Sequence, residues 1–166
     1  MGALIPSGDE RLVPVLSRIL PDGPLQGRIA TARALARIAD PRVHVVLVKA
    51  YRHATDVMEK TVIGGALGQY GDRRALPFLL EQLEDDEPAI WEEAIRSAGA
   101  VGAPEASPLL LPVLENERPA LVSAAAAALV RCGDEGALAT LRRKSRKGHP
   151  HGPIFADAAS AGGPEF

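Results

Sequence analysis

The chain lacks most of what would let a small domain be stapled together or built around large rings. It holds one cysteine, Cys132, in 166 residues. That excludes an intramolecular disulfide and a cysteine-based zinc site, and it fits a reducing, cytoplasmic setting. Aromatic residues are 4% of the chain, so the core has to come from Leu, Val, Ile and abundant Ala, the best helix former. No apolar run reaches the ~20 residues of a membrane span. Cationic charge is not in excess: 19 Lys and Arg stand against 21 Asp and Glu, for a net charge of -2. No global basic field therefore draws nucleic acid. The opening residues, Met1 to Asp9, have neither the charged nor the apolar segment of a secretory signal. Pro6 stands where an N-myristoylation pattern needs Ser or Thr.

What the chain does have is a repeat. Asp9, Asp40, Asp72, Ala103 and Asp134 follow one another at intervals of 31, 32, 31 and 31 residues. Seven positions after these markers stand Leu16, Leu47, Leu79, Leu110 and Leu141. Leu12, Val43, Ala75, Ala106 and Ala137 lie four residues earlier, and Leu20, Tyr51, Leu83, Leu114 and Ser145 four residues later. Steps of four define one helical face, so each marker opens a helix. A second helix precedes each later marker, with Ala34-Leu35, Ala66-Leu67, Ser97-Ala98 and Ala128-Leu129 in one register. Gly71, Gly102 and Gly133 follow these second helices, where a left-handed C-cap is expected. The marker Asp then serves as N-cap for the next helix.

The spacing predicts helices over 9–20, 24–38, 41–52, 56–70, 73–84, 88–101, 104–115, 119–132 and 135–146. It divides the chain into an N-terminal extension (1–8), a single repeat domain (9–146) and a tail (147–166) that is basic and then rich in Gly, Ala and Pro. The tail is expected to be flexible, with docking of Ile154-Phe155 back onto the last helix as the alternative. Thr140, Arg142 and Ser145 replace Phe78, Leu80 and Leu83 of an earlier copy, which predicts a polar capping face. Leu4 and Ile5 are expected to cover the first helix, making a complete small protein rather than a slice of a longer array.

Gly71-Asp72-Arg73-Arg74-Ala75-Leu76-Pro77-Phe78-Leu79-Leu80 resembles the opening of a HEAT-like repeat, and Ala66-Leu67-Gly68-Gln69-Tyr70-Gly71-Asp72 resembles its close. The short period is that of the bacterial subclass named after phycobilisome lyases, and the resemblance spans residues 9–146. Tetratricopeptide and ankyrin signatures are absent. The resemblance implies an all-α, right-handed, armadillo-like solenoid of about four and a half stacked antiparallel helix pairs. It also implies that the second helices line a concave side that binds a protein or peptide. The function to be expected is then non-catalytic: an adaptor, scaffold or regulatory subunit. A lyase or lyase-chaperone subunit acting on a tetrapyrrole-carrying protein is the alternative that the same subclass implies. The Val-Arg pair common early in the second helix of such repeats is replaced here by Glu59-Lys60, Ile90-Trp91 and Leu121-Val122.

Three registers of the second helices are the candidate contact surface. Lys60, Trp91 and Val122 form one row, continued by Arg28. Arg33, Gly65, Arg96 and Ala127 form the next, and Arg37, Gln69, Ala100 and Arg131 the third. Read together they sketch a groove with cationic edges and an apolar middle of Trp91, Ile95 and Val122. Such a groove suits an acidic-hydrophobic peptide, with Trp91 as its anchor. The plainer reading is a solvated helix face with scattered charges.

Other clusters carry less. Glu84-Asp85-Asp86-Glu87 sits where helix-dipole stabilisation of acids is explanation enough. Arg142, Arg143, Lys144, Arg146 and Lys147 could hold an anion or a nucleic-acid backbone, but no aromatic lies among them to stack a base. His149 and His151 fall short of the four ligands of a closed metal site. No nucleophile elbow or phosphate-cradling loop is present, and Gly64-Gly65 lies inside a helix register, where it permits close helix approach. No catalytic residue, cofactor or metal is therefore expected. The Ala-rich face from Ala124 to Ala128 offers a surface for self-association.

Overall fold

The glycines and aspartates at the repeat boundaries act as the spacing predicts. Gly71, Gly102 and Gly133 adopt φ of 74°, 64° and 68°, left-handed values that cost a glycine little and other residues more. Asp40 and Asp72 accept the backbone N–H of Arg42 and Arg74 at 2.8 and 3.0 Å, and Asp134 accepts that of Ala137 at 2.8 Å. Each of these bonds satisfies an amide that the following helix leaves unpaired.

The computed structural model describes residues 9–146 and 149–161. The first helices of the repeats are α1 (Val13–Asp22), α3 (Pro41–His53), α5 (Leu76–Gln82), α7 (Ser107–Leu110) and α9 (Glu135–Arg146). The second helices are α2 (Leu25–Leu35), α4 (Val57–Gln69), α6 (Pro88–Val101), α8 (Pro119–Cys132) and α10 (Gly152–Ala161). The second helices stack in order, α2 on α4 on α6 on α8 on α10. The architecture is the all-helical solenoid that the repeat implies, and no described residue lies in a strand.

Two expected helices are broken or shortened, each for a local reason. The span 104–115 is not one helix: α7 is flanked by 3-10 turns at Pro104–Ala106 and Leu111–Glu115. Pro104, Pro108 and Pro112 recur every fourth residue, and each lacks the N–H that would bond to the carbonyl four residues back. The second helix of the first repeat stops at Leu35, short of residue 38. That repeat has no boundary glycine, and the Tyr70 hydroxyl instead donates to the carbonyls of Leu35 (3.3 Å) and Ile38. Burial and the nearby Asp40 carboxylate push this phenol up to about 12.

The tail departs most. Residues 152–161 form α10, and Phe155 is fully buried against α8 and α9. The expected flexible segment is thus the second helix of a fifth pair, at least over its described part. It covers α9, so the polar residues of α9 are not what closes that end. Residues 147–148 and 162–166, and the expected cover by Leu4 and Ile5, lie outside the described residues.

Two core clusters result. One joins Val13, Leu20, Ile29, Leu35, Leu47 and Ile63 and their neighbours. The other is rich in alanine and runs from Leu83 through Ala94, Ala98, Ala125 and Ala126 to Phe155. Cys132 is buried in the second cluster, and burial chiefly pushes its thiol up to about 11.

Candidate functional site

The site follows from how closely the second helices approach. A Cβ built on Gly65 would lie 2.5 Å from the Ser97 hydroxyl, and one on Gly68 would lie 2.6 Å from the Val101 backbone nitrogen. On Gly99 it would meet the Ala128 Cβ at 2.7 Å. These small residues bring α4, α6 and α8 together, and the Ser97 hydroxyl locks the first of these contacts by donating to the Thr61 carbonyl at 3.0 Å. Side chains from helices two apart therefore meet across the helix between them. Arg33 of α2 pairs with Glu93 of α6 at 2.6 Å, over α4. Arg131 of α8 reaches Gln69 of α4 at a long 3.4 Å, over α6. These bridges cross small residues of the helix between, on the side of the second helices that the repeat resemblance makes concave.

The centre of this face is a shallow hollow of about 160 Å³ bordered by Arg33, Val62, Gly65, Gln69, Glu93 and Arg96. Glu93 is 7% exposed and holds both Arg33 and Arg96. The two arginine side chains remain 52% and 58% exposed. Arg131 is exposed beside them. Two guanidinium groups thus share one buried carboxylate, and a third, that of Arg131, reaches Gln69 beside them. Each has donors to spare, and a guanidinium matches a carboxylate in a planar, two-point fashion.

The structure brings together Arg33, Gln69, Arg96 and Arg131 of the expected contact residues and separates the rest. Ile95 and Val122 are fully buried in the core and cannot floor a groove. Lys60 and Trp91 point towards the first helices. The Lys60 ammonium stands over the rings of Tyr51 and Phe78, 5.3 and 4.9 Å from their centroids. Trp91 is partly buried beside Leu83, Leu109, Pro112 and Val113. The physical reason is rotational. The Arg28–Lys60–Trp91–Val122 register lies five residues before the Arg33–Gly65–Arg96 register, and at ~100° per residue five residues turn the helix by about 140°. The Arg37–Gln69–Arg131 register lies four residues after the latter, only about 40° away. Lys60, Trp91 and Val122 plug the clefts between consecutive first helices instead. Arg28, at the same register, is held by Glu59 through two bonds of 2.7 and 2.9 Å and by the Gly23 carbonyl at 2.8 Å. Glu93 was missed by the sequence reading, and its position three residues before Arg96 was the available signal.

The remaining clusters have structural partners. Asp85 accepts the Glu87 amide at 2.7 Å, and Glu92 pairs with Arg118. His149 faces Glu115 at 3.4 Å, His151 faces the Asn116 carbonyl at 3.1 Å, and both rings lie against Phe155. Lys144 and His149 together hold the Glu115 carboxyl below its ordinary range. Arg142, Arg143 and Arg146 stay exposed on α9. Among the described residues, no three His, Cys, Asp or Glu side chains converge as metal ligands. No helix among them is long and apolar enough to cross a membrane.

Comparison with known proteins agrees with this geometry. The family model for HEAT repeats matches residues 10–91 and again 76–151. Bovine (Bos taurus) deoxyhypusine hydroxylase is 34% identical over 87 residues, which cover 51% of this chain and 28% of that protein. The chain thus spans under a third of that curated relative.

Proposed function

We propose that this chain, which belongs to the HEAT repeat family, is a non-catalytic interaction scaffold that holds an acidic segment of a partner protein on its concave face. The observation that supports the reading is the charge imbalance there: Arg33, Arg96 and Arg131 against the already shared carboxylate of Glu93. An acidic peptide supplies the missing carboxylates, and an extended or helical segment can follow the curve from α2 to α8. Apolar side chains of the partner would find Ala36 and Ala100 beside the arginines.

The test is a fluorescence-anisotropy titration of a labelled acidic-hydrophobic peptide, taken as the best binder from an acidic peptide array. Arg33→Glu, Arg96→Glu and Arg131→Glu should each weaken binding about tenfold, as loss of a charge-assisted contact does, while Trp91→Ala leaves it unchanged. Affinity indifferent to all three reversals would overturn the assignment. The basic surface of α9 carries a second reading, since Arg142, Arg143 and Arg146 border an open hollow with Ala139. An anion bound there would be lost on substituting those arginines and would ignore Arg33 and Arg96.

A further inference from the structure

The clefts between consecutive first helices are filled differently along the stack. Lys60 occupies the second cleft, between the rings of Tyr51 on α3 and Phe78 on α5. Trp91 occupies the third and Val122 the fourth, the latter fully buried. The first cleft, between α1 and α3, belongs by register to Arg28. That side chain is instead clamped by Glu59 and the Gly23 carbonyl. A cavity of about 640 Å³ stays open beside it, well inside the roughly 300–1,000 Å³ of small-ligand sites.

The lining of the cavity selects a chemistry. Leu20, Pro21, Val46, Ala50 and Ala54 give it an apolar wall. Lys49 and His53 are exposed at its border, and neither makes an ion pair among the described residues. Its one acidic lining residue, Glu59, is 4% exposed and has both oxygens engaged by Arg28. Arg28 spends three of its five N–H donors on those fixed partners. No free carboxylate is left to attract a cation, whereas donors and positive charge are in surplus beside an apolar wall.

We propose that this first cleft is a binding site for a small amphipathic monocarboxylate. Its apolar body lies along Leu20, Val46 and Ala54, taking the place that Trp91 and Val122 fill in later repeats. Its carboxylate accepts from Lys49 and from the spare donors of Arg28. The site is on the first-helix side of the stack and does not depend on the concave-face reading.

The experiment is a titration of the isotopically labelled full chain with decanoate, kept below its micelle concentration and followed by amide chemical shifts. Saturable shifts should centre on Ser17, Ala50, His53 and Ala54. Neutral 1-decanol should bind at least about tenfold more weakly, and Lys49→Glu should weaken decanoate about tenfold. Ala50→Phe should fill the cavity and abolish binding. Because Lys49 is exposed, Lys49→Glu keeps the test valid should Ala50→Phe not fold. Equal affinity for decanol and decanoate, indifference to Lys49→Glu, shifts confined to the apolar surface of Leu12, Val15 and Ile19, or no saturable response in the millimolar range would each overturn the proposal.

Discussion

The two core clusters solve the same packing problem with different materials. The N-terminal one is built from large aliphatic side chains and leaves room: a cavity beside Arg28, and Leu12, Val15 and Ile19 exposed by 41–55% at the start of α1 and along it. The C-terminal one adds many alanines to its leucines, brings helix backbones nearly into contact at Gly99, and is covered by α10 through Phe155. Small residues make a short, stiff inner arc, and large ones hold helices apart and leave clefts. The difference places the concave cationic face and the first-helix cavity in one molecule without either disturbing the other.

The largest effect should come from opening the closed end. Phe155→Ala should cost about 3–5 kcal/mol, the usual range for a fully buried aromatic, and denaturant unfolding of the two proteins measures it. Ile19→Ser on the exposed stripe of α1 should change stability by under about 0.5 kcal/mol. Comparable losses from both would erase the distinction between the ends.

A smaller contrast tests the materials themselves. Gly99→Ala puts a methyl 2.8 Å from the Ala128 Cα. The backbone cannot yield cheaply, so the helix-propensity gain is outweighed and a loss of about 1–3 kcal/mol is expected. At Gly27 in α2 a methyl meets only the Pro24 ring, at 3.4 Å. There the propensity term wins, and Gly27→Ala should stabilise by about 0.5–1 kcal/mol. Thermal melts of the two variants should move in opposite directions.

The smallest effect lies where the two halves join. Burial raises the Asp72 carboxyl, but the Arg74 amide, His44 and the Arg74 guanidinium outweigh it and hold the group below its ordinary 3.8. Folding therefore favours the ionised form. Its stabilisation is fully present above about pH 4 and is lost as pH falls through the lower folded value. Asp72→Asn keeps a capping side chain but loses the charge. The gap from wild type, under about 1 kcal/mol at pH 6, should close as the solution is acidified. A gap that does not shrink at all as pH falls below the unfolded value would mean the cap geometry, not the charge, is at work.

Much of this was legible in the sequence. The marker spacing, the recurrent Leu seven residues on, and the boundary glycines encode helix ends and buried faces, which are local and periodic. Which way the outward residues turn was less so. Lys60 and Arg96 are both long and cationic, and only the helical angle between their registers separates a cleft plug from a concave contact. The arithmetic was available for that error. For α10 the Ile154-Phe155 pair was the one hint of docking; its composition of Gly, Ala and Pro carries no strong period, and burial of Phe155 rests on a tertiary surface supplied by α8 and α9. The Arg28–Glu59 clamp is likewise a long-range pairing, and with it the cavity.

The proline-divided first helix at 104–115 packs against α8, which ends at Cys132. Its 3-10 turns have fewer internal hydrogen bonds than a continuous helix, so local opening should begin there before it reaches the rest of the stack. The sole thiol is silent while that contact is closed, buried and with its pKa at about 11. It becomes a nucleophile only when the contact opens. The rate at which a thiol reagent labels the native protein is therefore a clock for the breathing of one repeat, built into the chain with no probe added.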